Sequence, residues 1–376
     1  MKIIHFTLGR VNPKSLNGIN KVVEGLCSSS NSLKNIDASV ISLKPNLTSK
    51  SKIYGRKGFE VLAFKKIKDI INHIKTNKDN IDLIHFHNTW SYQNVLISFY
   101  LKSYKINYVV SPHASLFRDR VKASNFIIKL LFQKFIQKRH LDNALIVFAT
   151  SKEEFTAIRD YTSNLNIILT ENGINLDVKK LKNKIQSNKI KLVTVSRLSI
   201  EKNIISLIEA INYLDSQYVE CLEINIIGDI NNGYAEKCID LVTEYGLQNV
   251  VVFRGVLVNQ EKNEFLNQMD AYIQTSYSEG GLSIAIREAM LLGLPIIATR
   301  TCNVAYYYRL PFLIMTEPID IDISNNLKMY IDNYEYYKEM KIDIIQYALD
   351  NFNWDIISKN MINYFYEYSK VLDEKN

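Results

Sequence analysis

The sequence predicts an α/β protein made of two Rossmann-like domains facing each other across a cleft. Three observations predict it. The chain has 376 residues, short β-branched apolar runs alternate with amphipathic stretches, and the alternation breaks once, near residues 175–189. A chain of this length exceeds one ordinary core and suits two domains of roughly 150–200 residues. Hydrophobic residues at 47% and charged residues at 23% exclude a disordered or fibrous chain.

The first strand is expected at Lys2–Thr7. The opening MKIIHFTLG lacks a charged segment followed by a sustained apolar run, so it reads as a buried strand and not as a signal peptide. An amphipathic segment, Ile19–Asn31, follows. Further strands are expected at Ala38–Leu43, Leu83–Phe86, Tyr108–Ser111 and Leu145–Ala149. The break, NLDVKKLKNKIQSNK, is polar and lysine-rich, as a linker should be. The pattern then resumes with strands at Lys191–Val195, Glu223–Ile227, Val250–Phe253, Ala271–Gln274 and Pro295–Ala298. Helices are expected between them at Asn203–Leu214, Ala235–Tyr245 and Ile284–Leu292. Continuous apolar strands alternating with helices indicate parallel sheets covered on both faces. The boundaries read from this pattern are 1–175, 176–350 and a closing segment, 351–376.

No apolar run approaches the ~18–20 residues that span a membrane. The four cysteines are scattered, without a CxxC pair or a histidine spacing suited to zinc, which points to reduced structural thiols in a cytoplasmic protein. Charge is uneven. Residues 1–175 hold 26 basic against 12 acidic residues, and residues 176–376 hold 20 against 27, for a net +7. A basic first half suits a phosphorylated acceptor or an anionic membrane surface. No nucleic-acid recognition motif accompanies the charge, so nucleic acid is not expected as a partner.

In such sheets ligands sit beyond the carboxyl ends of the strands, and five post-strand segments carry chemistry. Arg197 and Lys202 flank a turn into a helix; two cations beside free helix amides make a seat for a diphosphate. Glu279, Gly280 and Gly281 open the helix that carries Glu288, and two carboxylates there could accept from the paired hydroxyls of a ribose or hexose. Taken alone, Glu288 is equally a surface helix carboxylate, and Arg197 and Lys202 a solvated loop. His113 follows a strand directly, although a lone histidine is more often structural. His85 and His87 share one face of a strand end, and two histidines without a third ligand are weak evidence for a metal. Glu171-Asn172-Gly173 carries a turn signal. Asp320-Ile321-Asp322 mimics an Asp-x-Asp metal motif but reads as a solvated loop.

In order, the chain contains NGINKVVEGL, DLIHFH, SPHAS, ENGIN, VSRLSIEKN, IIGD, FRG and SEGGLSIAIREAMLLGLPIIAT. This series resembles the retaining, family-4 glycosyltransferases of the GT-B fold (glycosyltransferase group 1) over nearly the whole length. The resemblance implies an acceptor-binding first domain, a nucleotide-sugar-binding second domain, and a final helix packing back on the first. It implies that Gly18 approaches the donor diphosphate through its backbone, although the usual glycine pair here is Asn17-Gly18. His113 would contact the donor hexose near the reacting centre. Arg197 and Lys202 would neutralise the diphosphate and the departing nucleoside diphosphate, and Glu288 would bind the ribose hydroxyls. Glu279 would meet the hexose, with Asn172, Gly280, Gly281 and Leu282 completing the donor site. Here the spacing departs from the family. Eight residues separate Glu279 from Glu288 where the family has seven, and Gly280 occupies the usual position. A bulge at the doubled glycine could restore the carboxylate.

The implied reaction moves a hexose or N-acetylhexosamine from a UDP- or GDP-linked donor, with retention and no metal or other cofactor. A glycan or lipid-diphosphate-linked glycan acceptor, as in bacterial surface polysaccharide assembly (capsule or lipopolysaccharide), fits the basic half. Residues 118–141 combine basic residues with Phe126, Ile127, Leu130, Leu131 and Phe135. That composition suits either a core-packed helix or one lying on an anionic membrane, which would place the protein at the inner face of the cell membrane. A dinucleotide oxidoreductase is disfavoured because Leu8-Gly9-Arg10-Val11 replaces the G-x-G-x-x-G turn. The alternatives are a nucleotide-sugar epimerase on the same fold and a catalytically silent donor-binding homologue.

Overall fold

The structure, a computed structural model, describes residues 1–9, 18–44, 51–56, 58–117, 132, 136–174, 185 and 187–373. The chain divides into two compact units. The first comprises Met1–Gly173 with Phe352–Asn376, the second Ile174–Asn351.

The first unit holds an eight-stranded sheet in the order β3-β4-β2-β1-β5-β6-β7-β8. Its strands are β1 (Lys2–Thr7), β2 (Asp37–Leu43), β3 (Ser51–Arg56), β4 (Phe59–Phe64), β5 (Leu83–His87), β6 (Asn107–Ser111), β7 (Ile146–Ala149) and β8 (Ile167–Leu169). Its helices are α1 (Gly18–Ser30), α2 (Ile67–Thr76), α3 (Tyr92–Tyr104), α4 (Lys138–Asp142) and α5 (Lys152–Arg159). The central strands are continuous apolar runs because both faces are covered; every residue from Ile3 to Thr7 is buried. All pairings are parallel except β3 with β4. That hairpin, absent from the sequence reading, turns at Gly58, whose φ of +83° favours glycine. The chain runs outward from β1 through β2 and β4, then returns to place β5 on the other side of β1. The strand order therefore reverses at β1/β5.

The second unit is a six-stranded, all-parallel sheet in the order β11-β10-β9-β12-β13-β14. Its strands are β9 (Ile190–Val195), β10 (Leu222–Ile227), β11 (Val251–Gly255), β12 (Ala271–Gln274), β13 (Ile296–Thr299) and β14 (Leu313–Thr316). Its helices are α6 (Ile204–Asn212), α7 (Ser216–Cys221), α8 (Gly233–Glu244), α9 (Asn259–Leu266), α10 (Ile284–Leu291), α11 (Asp320–Asp332), α12 (Tyr334–Glu339) and α13 (Lys341–Phe352). Leu192, Ile224, Ile226 and Ile273 of the sheet pack with Leu207 and Ile211 of α6 and Leu327 of α11. Here the strand order reverses at β9/β12. Strands β8 and β14 escaped the sequence reading because three or four apolar residues carry no usable periodicity.

The last helix, α14 (Trp354–Asp373), belongs to the first unit. Its Trp354 indole lies against Gly25 of α1 and against Gly173, where an added Cβ would overlap the ring in both cases. Gly173 is thus required by close approach, whereas the sequence suggested a turn. Ser29 Oγ donates to Asp355 Oδ1 at 2.5 Å.

Asp320-Ile321-Asp322 is not a loop. It forms the first turn of α11, where the helix dipole favours acidic residues. Asp322 accepts from Thr316 Oγ1 and from the Glu317 amide, at 2.9 and 2.7 Å. Most of the polar stretch 175–189, Asn17, and residues 118–131 and 133–135 of the basic segment lie outside the described residues. Within that segment, Lys138 pairs with Asp142 at 2.8 Å, and His140 and Leu141 are buried. Among the described residues no helix is long and apolar enough to cross a membrane.

Candidate functional site

In the second unit the loops after β9 and β12 leave the sheet side by side at the switch point, where open α/β sheets bind ligands. The structure brings Lys202 and Glu279 together there as an ion pair whose side chains are 14% and 10% exposed. The same carboxylate oxygen of Glu279 accepts from Gln274 Nε2 at 2.6 Å and from Ser276 Oγ at 2.8 Å. Thr275 Oγ1 donates to the Asn203 carbonyl at 3.0 Å, and the Tyr277 amide donates to the Glu201 carbonyl at 2.9 Å. The two loops are therefore stitched along their length.

Arg197 is exposed and pairs with Glu201 at 3.4 Å. Burial alone would raise the Glu201 carboxyl. Backbone hydrogen bonding and the charges of Arg197 and Lys202 outweigh burial and hold it below its ordinary value. Both predicted cations thus act on one small region of the β9 loop. Asn203, which begins α6, sits at φ +53°, a left-handed conformation that asparagine tolerates better than most residues.

The glycine pair after Glu279 takes an open backbone, with Gly281 at φ +148°. Around it the loop is tied to the segment after β13. The Glu279 amide donates to the Thr301 carbonyl at 3.2 Å, and Asn303 Nδ2 donates to the Glu279 carbonyl at 2.9 Å. Leu282 is buried, and Ser283 caps α10 by accepting from the Ile286 amide at 3.1 Å. Ser283 Oγ also donates to Gln274 Oε1 at 2.9 Å, which fixes the start of α10 against the end of β12.

Glu288, on α10, forms an ion pair with Lys262 of α9, with both side chains at least nine-tenths buried. Glu279 and Glu288 act on a common neighbour, the buried Tyr272 hydroxyl. Burial raises the Tyr272 pKa first, and the two carboxylate charges raise it further. Lys262 was not legible in the sequence, because a lysine in NQEKNEFL looks like any solvated helix position. Gln274 and Ser276 carried a faint signal: polar side chains at the end of an apolar strand.

Gly18, His113 and Asn172 lie in the first unit. Gly18 is exposed at the N-terminus of α1, and Asn172 is half-buried just after β8. His113 follows β6 in a loop whose His113 and Ala114 have φ of +52° and +60°. Such backbone is strained for non-glycine residues and persists only where its surroundings hold it. Glu154 does so, accepting from the Ala114 amide at 2.5 Å and the Thr150 amide at 2.8 Å, at the N-terminus of α5. Ser151 caps the same helix by accepting from the Glu154 amide at 3.1 Å. Trp90 Nε1 donates to the Ser115 carbonyl at 2.7 Å, tying the loop after β5 to the loop after β6.

The histidines of DLIHFH have a third neighbour that the sequence did not reveal. His5 on β1 pairs in register with His85 on β5. His5 Nδ1 lies 2.9 Å from His87 Nε2, and His87 Nδ1 lies 2.9 Å from His113 Nε2. Burial pulls the His5 imidazole down to about 3 and holds His85 and His87 well below their ordinary value, helped by their neighbours. Ligand atoms of His5, His85 and His87 fall within 4.8 Å of one another, a spacing that could hold a metal ion. Both His87 nitrogens are nevertheless engaged by other imidazoles.

With this geometry in place, three comparisons bear on the protein. Residues 177–345 match the family described as Glycosyl transferases group 1. The matched residues lie within the second unit. The chain is 23% identical over 341 residues to the uncharacterized glycosyltransferase MJ1069 of Methanocaldococcus jannaschii, covering 86% of this chain and 84% of that protein. Among solved structures, it resembles sucrose-phosphate synthase from Thermosynechococcus elongatus with a TM-score of 0.77 at 14% identity, covering 99% and 100% of the two chains. Anabaena HepE in complex with UDP and glucose superposes with a TM-score of 0.71 at 18% identity, covering 96% and 98%. WaaG, a glycosyltransferase involved in lipopolysaccharide biosynthesis, gives 0.69 at 14%, covering 95% and 98%. At these identities the likeness establishes the fold, which is the GT-B glycosyltransferase fold.

Proposed function

We propose that this glycosyltransferase transfers a hexose or N-acetylhexosamine, with retention, from a UDP- or GDP-sugar to a glycan or lipid-linked glycan acceptor. The observation that carries this reading is the Lys202–Glu279 pair at the β9/β12 switch point, with Arg197 on the same loop. In that arrangement a diphosphate takes Lys202 as its counter-ion, and Glu279 is freed to accept from hexose hydroxyls while Gln274 and Ser276 keep it oriented. Glu288 serves the ribose.

Arg197 and Lys202 stabilise the charge on the departing nucleoside diphosphate, so two fixed cations do the work that a divalent ion does elsewhere. The acceptor hydroxyl attacks from the face the leaving group vacates, and positioning supplies much of the remaining acceleration. UDP complexes of a protein of this fold support a uridine donor, and the lipopolysaccharide role of WaaG supports a surface glycan acceptor. Peripheral contact with an anionic membrane through residues 118–141, at the cytoplasmic face, remains part of the proposal.

The test is a thermal-shift screen of the folded protein against UDP, GDP, CMP, NAD and their sugar conjugates, followed by turnover with and without EDTA. Stabilisation by one nucleotide and its sugars, with turnover unaffected by EDTA, is expected. Turnover restored only by added metal would refute the two-cation mechanism, and stabilisation by NAD alone would refute the donor class.

A further inference from the structure

The imidazoles of His5, His87 and His113 form an unbroken line from the interior of β1 to the loop after β6, with 2.9 Å between ring nitrogens at each step. His5 and His87 are 3% and 2% exposed, so bulk water does not compete for these bonds. A bond between two ring nitrogens needs a hydrogen on one and a lone pair on the other. A neutral imidazole carries one of each.

His87 spends both nitrogens in the line. If its hydrogen is on Nε2, pointing at His5 Nδ1, its Nδ1 must accept from His113 Nε2. If its hydrogen is on Nδ1, it donates to His113 Nε2 and must accept from His5 Nδ1. In the first state all three rings carry hydrogen on Nε2, and in the second all three carry it on Nδ1. Any mixed state sets two lone pairs or two hydrogens against each other inside a buried cluster, where an unmade hydrogen bond is costly.

We propose that His5 is a positioning residue: through His87 it fixes the tautomer of His113, and thereby decides which nitrogen of that ring bears hydrogen. The inference rests on the reading above that His113 meets the donor sugar, and it deepens it. A ring that turned between tautomers would offer the sugar a donor in one state and an acceptor in the other. The chain removes that ambiguity from a distance. Its far end makes the choice: His5 Nε2 is buried with no hydrogen-bond partner among the described residues, and a hydrogen there would be a buried orphan donor, which favours the state with hydrogen on every Nδ1.

The chain has six histidines, few enough for each ring to be assigned by nitrogen-detected NMR on histidine-labelled, ligand-free protein. The expected result is one shared tautomer for His5, His87 and His113. In His5→Phe, which keeps a flat ring but removes both nitrogens, the His113 signals move toward the tautomer average. Turnover falls on the order of 10-fold in kcat, as when the outer partner of a working imidazole is lost, with little change in KM. His5→Gln, whose amide can donate or accept, restores part of both and serves if His5→Phe does not fold. His140→Phe alters a buried histidine that bonds Ser98 instead, and it should change neither readout. Unlike tautomers in the wild-type protein, or a His113 tautomer indifferent to His5→Phe and His5→Gln, would overturn the chain. A changed tautomer with unchanged turnover would overturn its role in the reaction. The tautomer measurement needs no donor, so failure of the proposed donor class shows separately, as absence of turnover in the wild-type protein.

Discussion

Replacing Lys262 by methionine probes the most deeply buried ion pair described in the second unit. Lys262 and Glu288 are 9% and 10% exposed at their side chains. Methionine keeps the aliphatic stem that packs α9 but removes the charge, leaving the Glu288 carboxylate buried without its counter-ion. Breaking one side of such a pair costs about 3–5 kcal/mol. For a unit spanning Ile174–Asn351, each kcal/mol lowers Tm by roughly 2–4 °C, so a fall of about 6–20 °C is expected by differential scanning fluorimetry.

The double variant Lys262→Met/Glu288→Leu removes both charges. Replacing a buried pair by apolar groups is commonly neutral or stabilising, so most of the lost Tm should return. The double variant should nevertheless lose the stabilisation given by the nucleotide that protects the wild-type protein, because the ribose has lost its carboxylate. A single variant melting within ~2 °C of wild type would show that the pair is not a structural necessity. A double variant no more stable than the single one would show that the cost is steric. Retained nucleotide stabilisation in the double variant would remove Glu288 from the donor site.

Other expectations concern the same regions. Arg197→Ala or Lys202→Ala should lower turnover at least ~100-fold if these cations stabilise leaving-group charge, and near-normal turnover in both would sink that role. Gly25→Ala should lower Tm through a clash with Trp354 worth about 1–3 kcal/mol; Trp354→Leu in the same chain should relieve it, and additive losses would contradict the contact. His5 and His140 are both pulled down to about 3 by burial, so the unfolded chain binds more protons than the folded one between the ordinary value near 6.5 and about 3. Stability should therefore be level above pH ~6.5 and fall below it, by up to about 1.4 kcal/mol per pH unit for each such ring. His140→Phe should make urea denaturation less steeply dependent on pH between 6 and 4, and an unchanged slope would mean that this ring is not held neutral.

Much of the fold was legible in the sequence because parallel strands covered on both faces must be continuous apolar runs, and Lys2–Thr7, Glu223–Ile227 and Ala271–Gln274 announce themselves in that way. Post-strand position also marked Arg197, Lys202, Glu279, Glu288 and His113 as candidates, and the family resemblance supplied the roles expected of them. What the sequence could not determine is partnership. Glu279 turns to Lys202 across 77 positions, and Glu288 takes Lys262 from a helix that looks merely solvated, because β9 lies beside β12 and α9 near α10 only once the sheet has closed. His5, inconspicuous in a first strand, becomes the end of an imidazole line through its register with His85. Gly173 looked like a turn and proved to be the space that the Trp354 indole occupies. Local pattern is written in neighbouring residues, whereas charge pairing and close approach depend on strand order, and strand order is fixed only in three dimensions.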